Sequence, residues 1–210
     1  MPRRRRPATK PRKRPVQRRS RATVDALVTA TARVLVRHGY DTASTNRIAK
    51  AAGVSVGSLY QYFPSKEALV AALIERHLES RRAMLRDQAV ELAQAPLDVA
   101  VRRFIETLIA AQSQSPRLER VIVEQVPRVA GLDRLKAFDQ EIVEMLTAYL
   151  GLHRRSIRRP DLRVAAEVLY LAVRGATVGA VLDPSPTLDV ATLTEEMTLL
   201  VLCYLTGAAE

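Results

Sequence analysis

The sequence predicts an all-α protein, with an N-terminal three-helix unit followed by a larger helical bundle. Apolar residues recur at three- and four-residue spacing along most of the chain, the pattern of helices with one buried face. Gly39, Gly53, Pro64, Pro96, Pro116 and Pro160 fall between these stretches, where helices stop or start. The 210 residues are 48% hydrophobic with no Trp, so the core must be built of Leu, Val, Ala and Ile, which suits packed helices better than a β-sandwich.

The first predicted helix covers 20–38, with Val24, Leu27, Val28, Thr31, Val34 and Leu35 in phase, Ser20 as N-cap and Gly39 as stop. The second covers 45–52, capped by Ser44 or Thr45, with Ile48, Ala49 and Ala52 on one face; Gly53 ends it, a position where glycine adopts a left-handed conformation without strain. The third covers only 56–62, capped by Ser55 and stopped by Pro64. Ser65 then caps a long helix reaching about Leu92. Further helices are expected over 96–113, 116–127, 133–150, 161–182 and 188–206. Val121 and Val123 could alternate as a strand, but a lone strand has no partner, so a helix is preferred. His153 to Arg159 is a polar connection, and Asp183-Pro184-Ser185-Pro186 is a break.

Charge is uneven. The net charge is +11, and residues 1–21 alone hold eleven Arg and Lys with no acid, leaving the rest formally neutral. Residues 1–19 are Arg- and Pro-rich and nearly devoid of apolar residues, a composition that predicts disorder. Such a segment admits two readings, a solubilising tail or an arm that lies on nucleic acid phosphates or enters a minor groove.

Charges interrupt every apolar run before it reaches 18 residues, and Asp25 and Arg33 spoil the stretch after the basic start as a signal peptide. The single cysteine, Cys203, fits a reducing compartment. A cytoplasmic protein is expected. No phosphate loop, clustered metal ligands or nucleophile–base motif is visible, so the sequence points to no enzyme, metal or cofactor.

Residues 53–66, GVSVGSLYQYFPSK, carry the functional signal. A helix of two turns cannot stand alone, so a scaffold must hold it. Two short helices joined by a glycine turn form a helix-turn-helix. Once Leu59 and Phe63 turn inward, the short helix presents Ser55, Gly57, Ser58, Tyr60, Gln61 and Tyr62. Small hydroxyls, open backbone and two phenols can meet phosphates and base edges without desolvating a charge. The first amides of this helix suit a phosphate, and Lys66 can neutralise another.

Residues 20–69 closely resemble the DNA-binding domain of TetR-family transcriptional regulators, in HGYDT (38–42), STNRIAKAAGVS (44–55) and SLYQYFPSKEAL (58–69). The resemblance implies a boundary near 67, with a helical effector-binding and dimerisation domain over 68–210. It also implies that the third helix reads the major groove. Thr45 and Asn46 would then lie at phosphates, Val56, Gly57, Ser58 and Tyr60 in the groove, and Tyr62 and Lys66 at flanking phosphates, with Gln61 an added contact. Whether Asn46 or Arg47 reaches DNA depends on the phase of the second helix. Val56 departs from the polar or basic residue frequent in relatives; it cannot bond a base but can touch a thymine methyl.

By the same resemblance the protein is a repressor released from a roughly palindromic operator by a small-molecule effector, and a homodimer through 161–182 and 188–206. The alternative is an architectural or protein-controlled DNA-binding factor without such an effector. The stripe Leu169, Ala172, Val173, Ala176, Ala180 suits close packing, against a partner or within the chain. Phe104, Leu108, Phe138, Met145 and Tyr149 are candidates to line an effector cavity, or plain core. Arg174, in an apolar helix, either pairs with an acid such as Glu167 or Glu195 or faces a pocket. Cys203 reads as a core or interface residue rather than a redox sensor.

Overall fold

A computed structural model describes residues 18–113, 115–125, 132–183 and 188–207. The described residues form nine helices and no strand: α1 (Arg18–Thr42), α2 (Thr45–Ala52), α3 (Val56–Tyr62), α4 (Lys66–Leu92), α5 (Leu97–Ser113), α6 (Pro116–Gln125), α7 (Leu132–Leu152), α8 (Leu162–Leu182) and α9 (Val190–Thr206). The chain divides into two compact units, Met1–Ser80 with Arg120–Asp133, and Arg81–Glu119 with Arg134–Glu210.

In the first unit, Leu27, Val28, Val34 and Leu35 form the buried face of α1. Thr31 joins them because its hydroxyl donates to the Leu27 carbonyl at 2.8 Å, which satisfies the buried oxygen. Gly39 (φ 70°, ψ 173°) interrupts the helix at the expected stop, and a short helical piece follows to Thr42. The start differs from expectation. The helix already includes Arg18 and Arg19, so Ser20 is not its cap. Arginine is a good helix former, and the Ser20 hydroxyl is used elsewhere. The predicted arm therefore shortens to residues 1–17, which lie outside the described residues, as do Pro127 and residues 184–187 of the predicted breaks.

Helices α2 and α3 are defined by their ends. Ser44 caps α2, its oxygen accepting from the Arg47 amide. At the other end Gly53 sits at φ 69°, ψ 29°, donating to Lys50 O, while Val54 donates to Ala49 O. This pair of bonds is a Schellman stop. Ser55 caps α3 by accepting from the Ser58 amide at 3.0 Å. Phe63, extended ahead of Pro64, closes it by donating to Leu59 O. Ile48, Leu59 and Phe63 are almost wholly buried. At about 1.5–3 kcal/mol for each large apolar side chain, this shared core holds a helix too short to exist alone.

The second unit is built on Ile105, Ile109, Val143, Leu169, Val173 and Val201, from α5, α7, α8 and α9. Asp161 caps α8 by accepting from the Arg163 and Val164 amides, and Asp189 caps α9 through the Thr192 amide. Two arginines of the 153–159 connection have structural partners. Arg154 donates to Ile157 O, and Arg159 donates to Gly207 O just beyond α9 while lying over the Tyr204 ring. Cations near a helix C-terminus oppose its negative dipole end.

Candidate nucleic-acid interface

With Leu59 turned inward, α3 leaves a continuous uncharged outer face. Val56 is 37% and Tyr60 42% exposed, and Gly57 and Gln61 are exposed with them. Ser55 and Ser58 share a hydroxyl–hydroxyl bond of 2.8 Å. The Tyr60 hydroxyl lies 3.1 Å from Thr45 Oγ1, linking the outer face of α3 to the first residue of α2. Tyr60 and Thr45 are thus held in one orientation before any partner arrives. A side chain added at Gly57 would meet only Ser55 Oγ, at 3.8 Å, so this glycine keeps the surface open rather than avoiding a clash.

The phase of α2 buries Ile48 and Ala49 and exposes Asn46, Arg47 and Lys50. Arg47 folds back to donate to Thr42 O at 3.0 Å, whereas Asn46 points outward beside Thr45. Lys66 donates to Tyr40 O at 2.8 Å with its ammonium 4.1 Å from the Tyr40 ring centre. Tyr62, half-buried, donates to Ser20 Oγ at 3.2 Å. Sequence reasoning missed Tyr40 and Ser20, which orient two of its candidate residues. Neither pairing has a local signal, because the partners lie 26 and 42 residues apart.

All six effector candidates lie on α5, α7 and α8 of the second unit. Leu108 packs on the core. Phe138 is buried, with the Arg82 guanidinium 5.3 Å from its ring centre. Phe104 and Met145 are half-buried. Tyr149 donates to Leu92 O and contacts His153, and burial raises its pKa. The expected partners of Arg174 are corrected. It lies 3.8 Å from Asp139, while Glu195 is taken by Arg102. Glu167 sits two turns away on the same helix, beyond the one-turn spacing at which helical side chains pair. Asp139 also accepts from the Tyr170 hydroxyl.

Of the two readings of the stripe on α8, the structure shows the intrachain one. Leu169 and Val173 are in the unit's own core, with Ala172, Ala176 and Ala180 packed against it. The apolar residues left outside are Val164 (52% exposed), Val168 (42%) and Leu171 (58%), at i, i+4 and i+7. On α9, Leu199 and Leu200 are exposed, as is Cys203, which is therefore not a core residue.

Two short capped helices crossing at a Schellman turn, the second with an outward uncharged polar face, define a helix-turn-helix transcriptional regulator. Residues 27–73 match the model for bacterial regulatory proteins of the tetR family, and residues 96–205 match that for tetracyclin repressor-like C-terminal domains. The chain belongs to the TetR family. An uncharacterized HTH-type transcriptional regulator of Mycobacterium bovis is 28% identical over 178 residues, spanning 82% of this chain and 88% of that protein. The nucleoid occlusion factor SlmA of Haemophilus ducreyi is 34% identical over 84 residues, so the match spans only 41% of that relative's length and 40% of this chain. A TetR transcription regulator structure from Haloarcula marismortui shares the fold with a TM-score of 0.71 at 23% identity, covering 87% of this chain and 96% of that one.

Proposed function

We propose that this protein is a cytoplasmic, dimeric repressor that reads a roughly palindromic operator with α3 and releases it when a small molecule binds the helical domain. The observation that carries the reading is the outer face of α3: small, uncharged, capped by Ser55 and braced by Thr45 through Tyr60. Val56, Gly57, Ser58, Tyr60 and Gln61 would meet the groove, and Thr45 and Asn46 the backbone. Arg47 and Lys66 would serve it less directly, since each already donates to a backbone carbonyl.

The dimer would form through α8 and α9, using the exposed Val164, Val168, Leu171, Leu199 and Leu200 rather than the partly buried alanine stripe. Two-fold symmetry would then set two copies of α3 about 34–36 Å apart, one turn of duplex. An effector shifts binding only by its differential affinity for the DNA-competent and other states. Phe104, Leu108, Phe138, Met145, Tyr149 and Arg174 stand as the residues to examine for it.

The test is footprinting on duplexes selected from a random library, with sedimentation of free protein and complex. A monomer on an asymmetric site contradicts the reading. The match to a nucleoid occlusion factor favours a second one, a DNA-binding factor controlled by a protein partner. Release from DNA by no small molecule in a broad screen, but by a protein, would favour it.

A further inference from the structure

We infer that the base pairs read by α3 are A·T pairs, with a thymine methyl packed on Val56 and an adenine bonded by Gln61. This assignment deepens the operator-binding reading above and rests on it.

The outer face of α3 has two strips. Val56 and Tyr60 stand one helical turn apart on one, and Gly57 and Gln61 one turn apart on the other. All four residues are exposed, while Leu59 on the opposite side is fully buried. A Cβ added at Gly57 would meet only Ser55 Oγ, at 3.8 Å, so no internal contact requires a glycine there. A glycine inside a helix costs stability, and what it permits is a close approach of backbone to a ligand. At this position the ligand is the floor of the groove, and the approach brings the short Val56 and Gln61 side chains within reach of base edges.

Each base pair shows its own pattern of donors, acceptors and methyl groups in the major groove. Val56 offers only methyls, and the matching feature is the C5 methyl of thymine. Against guanine O6 and N7, or the cytosine amino group, it would leave a polar atom unpaired. The Gln61 amide has a donor and an acceptor side, which fit adenine N7 and N6 together. On guanine the amide oxygen would face an acceptor. The other side chains of the face are engaged within the chain. Ser55 and Ser58 bond each other, and the Tyr60 hydroxyl meets Thr45. Val56 and Gln61 are left without a side-chain partner among the described residues. Guanine is most often read by an Arg or Lys, and α3 has neither. The unit's cations stand on α1, α2 and α4, with Arg18, Arg19 and Arg21 grouped at the start of α1. There they suit phosphates, which fix position and carry no sequence.

The test uses the full chain and a duplex selected from a random library. Each thymine of one half-site is replaced in turn by deoxyuridine, which removes only the methyl. At one position the wild type should weaken about fourfold, the effect of one buried carbon. Val56→Ala should bind thymine and uracil there equally. Gln61→Ala should lose about fivefold to about 100-fold on the selected duplex, the range for a two-bond base contact. It should also be indifferent to 7-deazaadenine at one position where the wild type is not. Circular dichroism should show unchanged helix in both variants. Equal binding of thymine and uracil by the wild type at every position, or discrimination that Val56→Ala retains, overturns the role of Val56. Discrimination against 7-deazaadenine that Gln61→Ala retains overturns that of Gln61. Selection of a G·C core in each half-site overturns both roles and leaves the operator reading standing, whereas no preferred sequence at all removes that reading with them.

Discussion

Ser55 separates two roles that α3 combines, a stable helix and a surface offered to DNA. Its oxygen accepts from the Ser58 amide at 3.0 Å and is the capping bond of a seven-residue helix. Replacing it by Ala removes the cap, at a cost of about 1 kcal/mol and at most about 2. For a chain of this size, ~1 kcal/mol lowers Tm by roughly 2–4 °C. Asn and Asp cap about as well as Ser, so Ser55→Asn and Ser55→Asp should both regain most of the lost stability. They should differ on DNA. A carboxylate about 6 Å from a phosphate is repelled by ~0.7 kcal/mol in water and ~3 kcal/mol at an effective dielectric of 20. Ser55→Asp should therefore bind a selected duplex ~3- to ~100-fold more weakly than Ser55→Asn at equal stability, with the gap narrowing as salt rises. Thermal unfolding and fluorescence anisotropy across a salt series give both readouts. Equal binding by the Asn and Asp variants would refute the placement of this end of α3 against DNA.

Tyr60→Ala should weaken operator binding by ~1–3 kcal/mol with helical content unchanged by circular dichroism; a large loss of helix would make Tyr60 structural. Leu171→Glu combined with Leu199→Glu should yield a folded monomer in sedimentation, because both positions are exposed within the chain; a persistent dimer would place the interface elsewhere. Tyr170→Phe should cost about 1–2 kcal/mol at pH 7, since the hydroxyl donates to a carboxylate. Burial, then the bond to and charge of Asp139, raise the Tyr170 pKa, while Arg174 and Arg81 oppose the rise. A raised native pKa means that this stabilisation is complete below about pH 10, where the unfolded phenol titrates, and is lost as pH rises further. The difference between wild type and Tyr170→Phe in chemical denaturation should narrow above pH 10, and a constant difference to pH 11 would refute the assignment.

Much of the DNA-facing unit was legible because its signals are local. Gly53, Ser55, Pro64 and Ser65 act on backbone groups within four residues, so spacing alone bounds α2, α3 and the start of α4. The inward turn of Leu59 and Phe63 follows from helical periodicity, and it determines which residues of α3 face outward. Ser20 was misread for a related reason. A serine before an apolar run carries a local capping signal, but the partner of its hydroxyl, Tyr62, lies in another helix.

The sequence by itself determined the fold class, the capped helix-turn-helix and the concentration of positive charge before it. These depend on neighbouring residues and composition. Only the tertiary structure decided which apolar side of α8 is core and which is exposed, that Arg174 meets Asp139, that Lys66 is held by Tyr40, and that α1 begins beside the end of α3. Each of these depends on which helices pack together, and helical periodicity identifies an apolar face without naming the surface it meets.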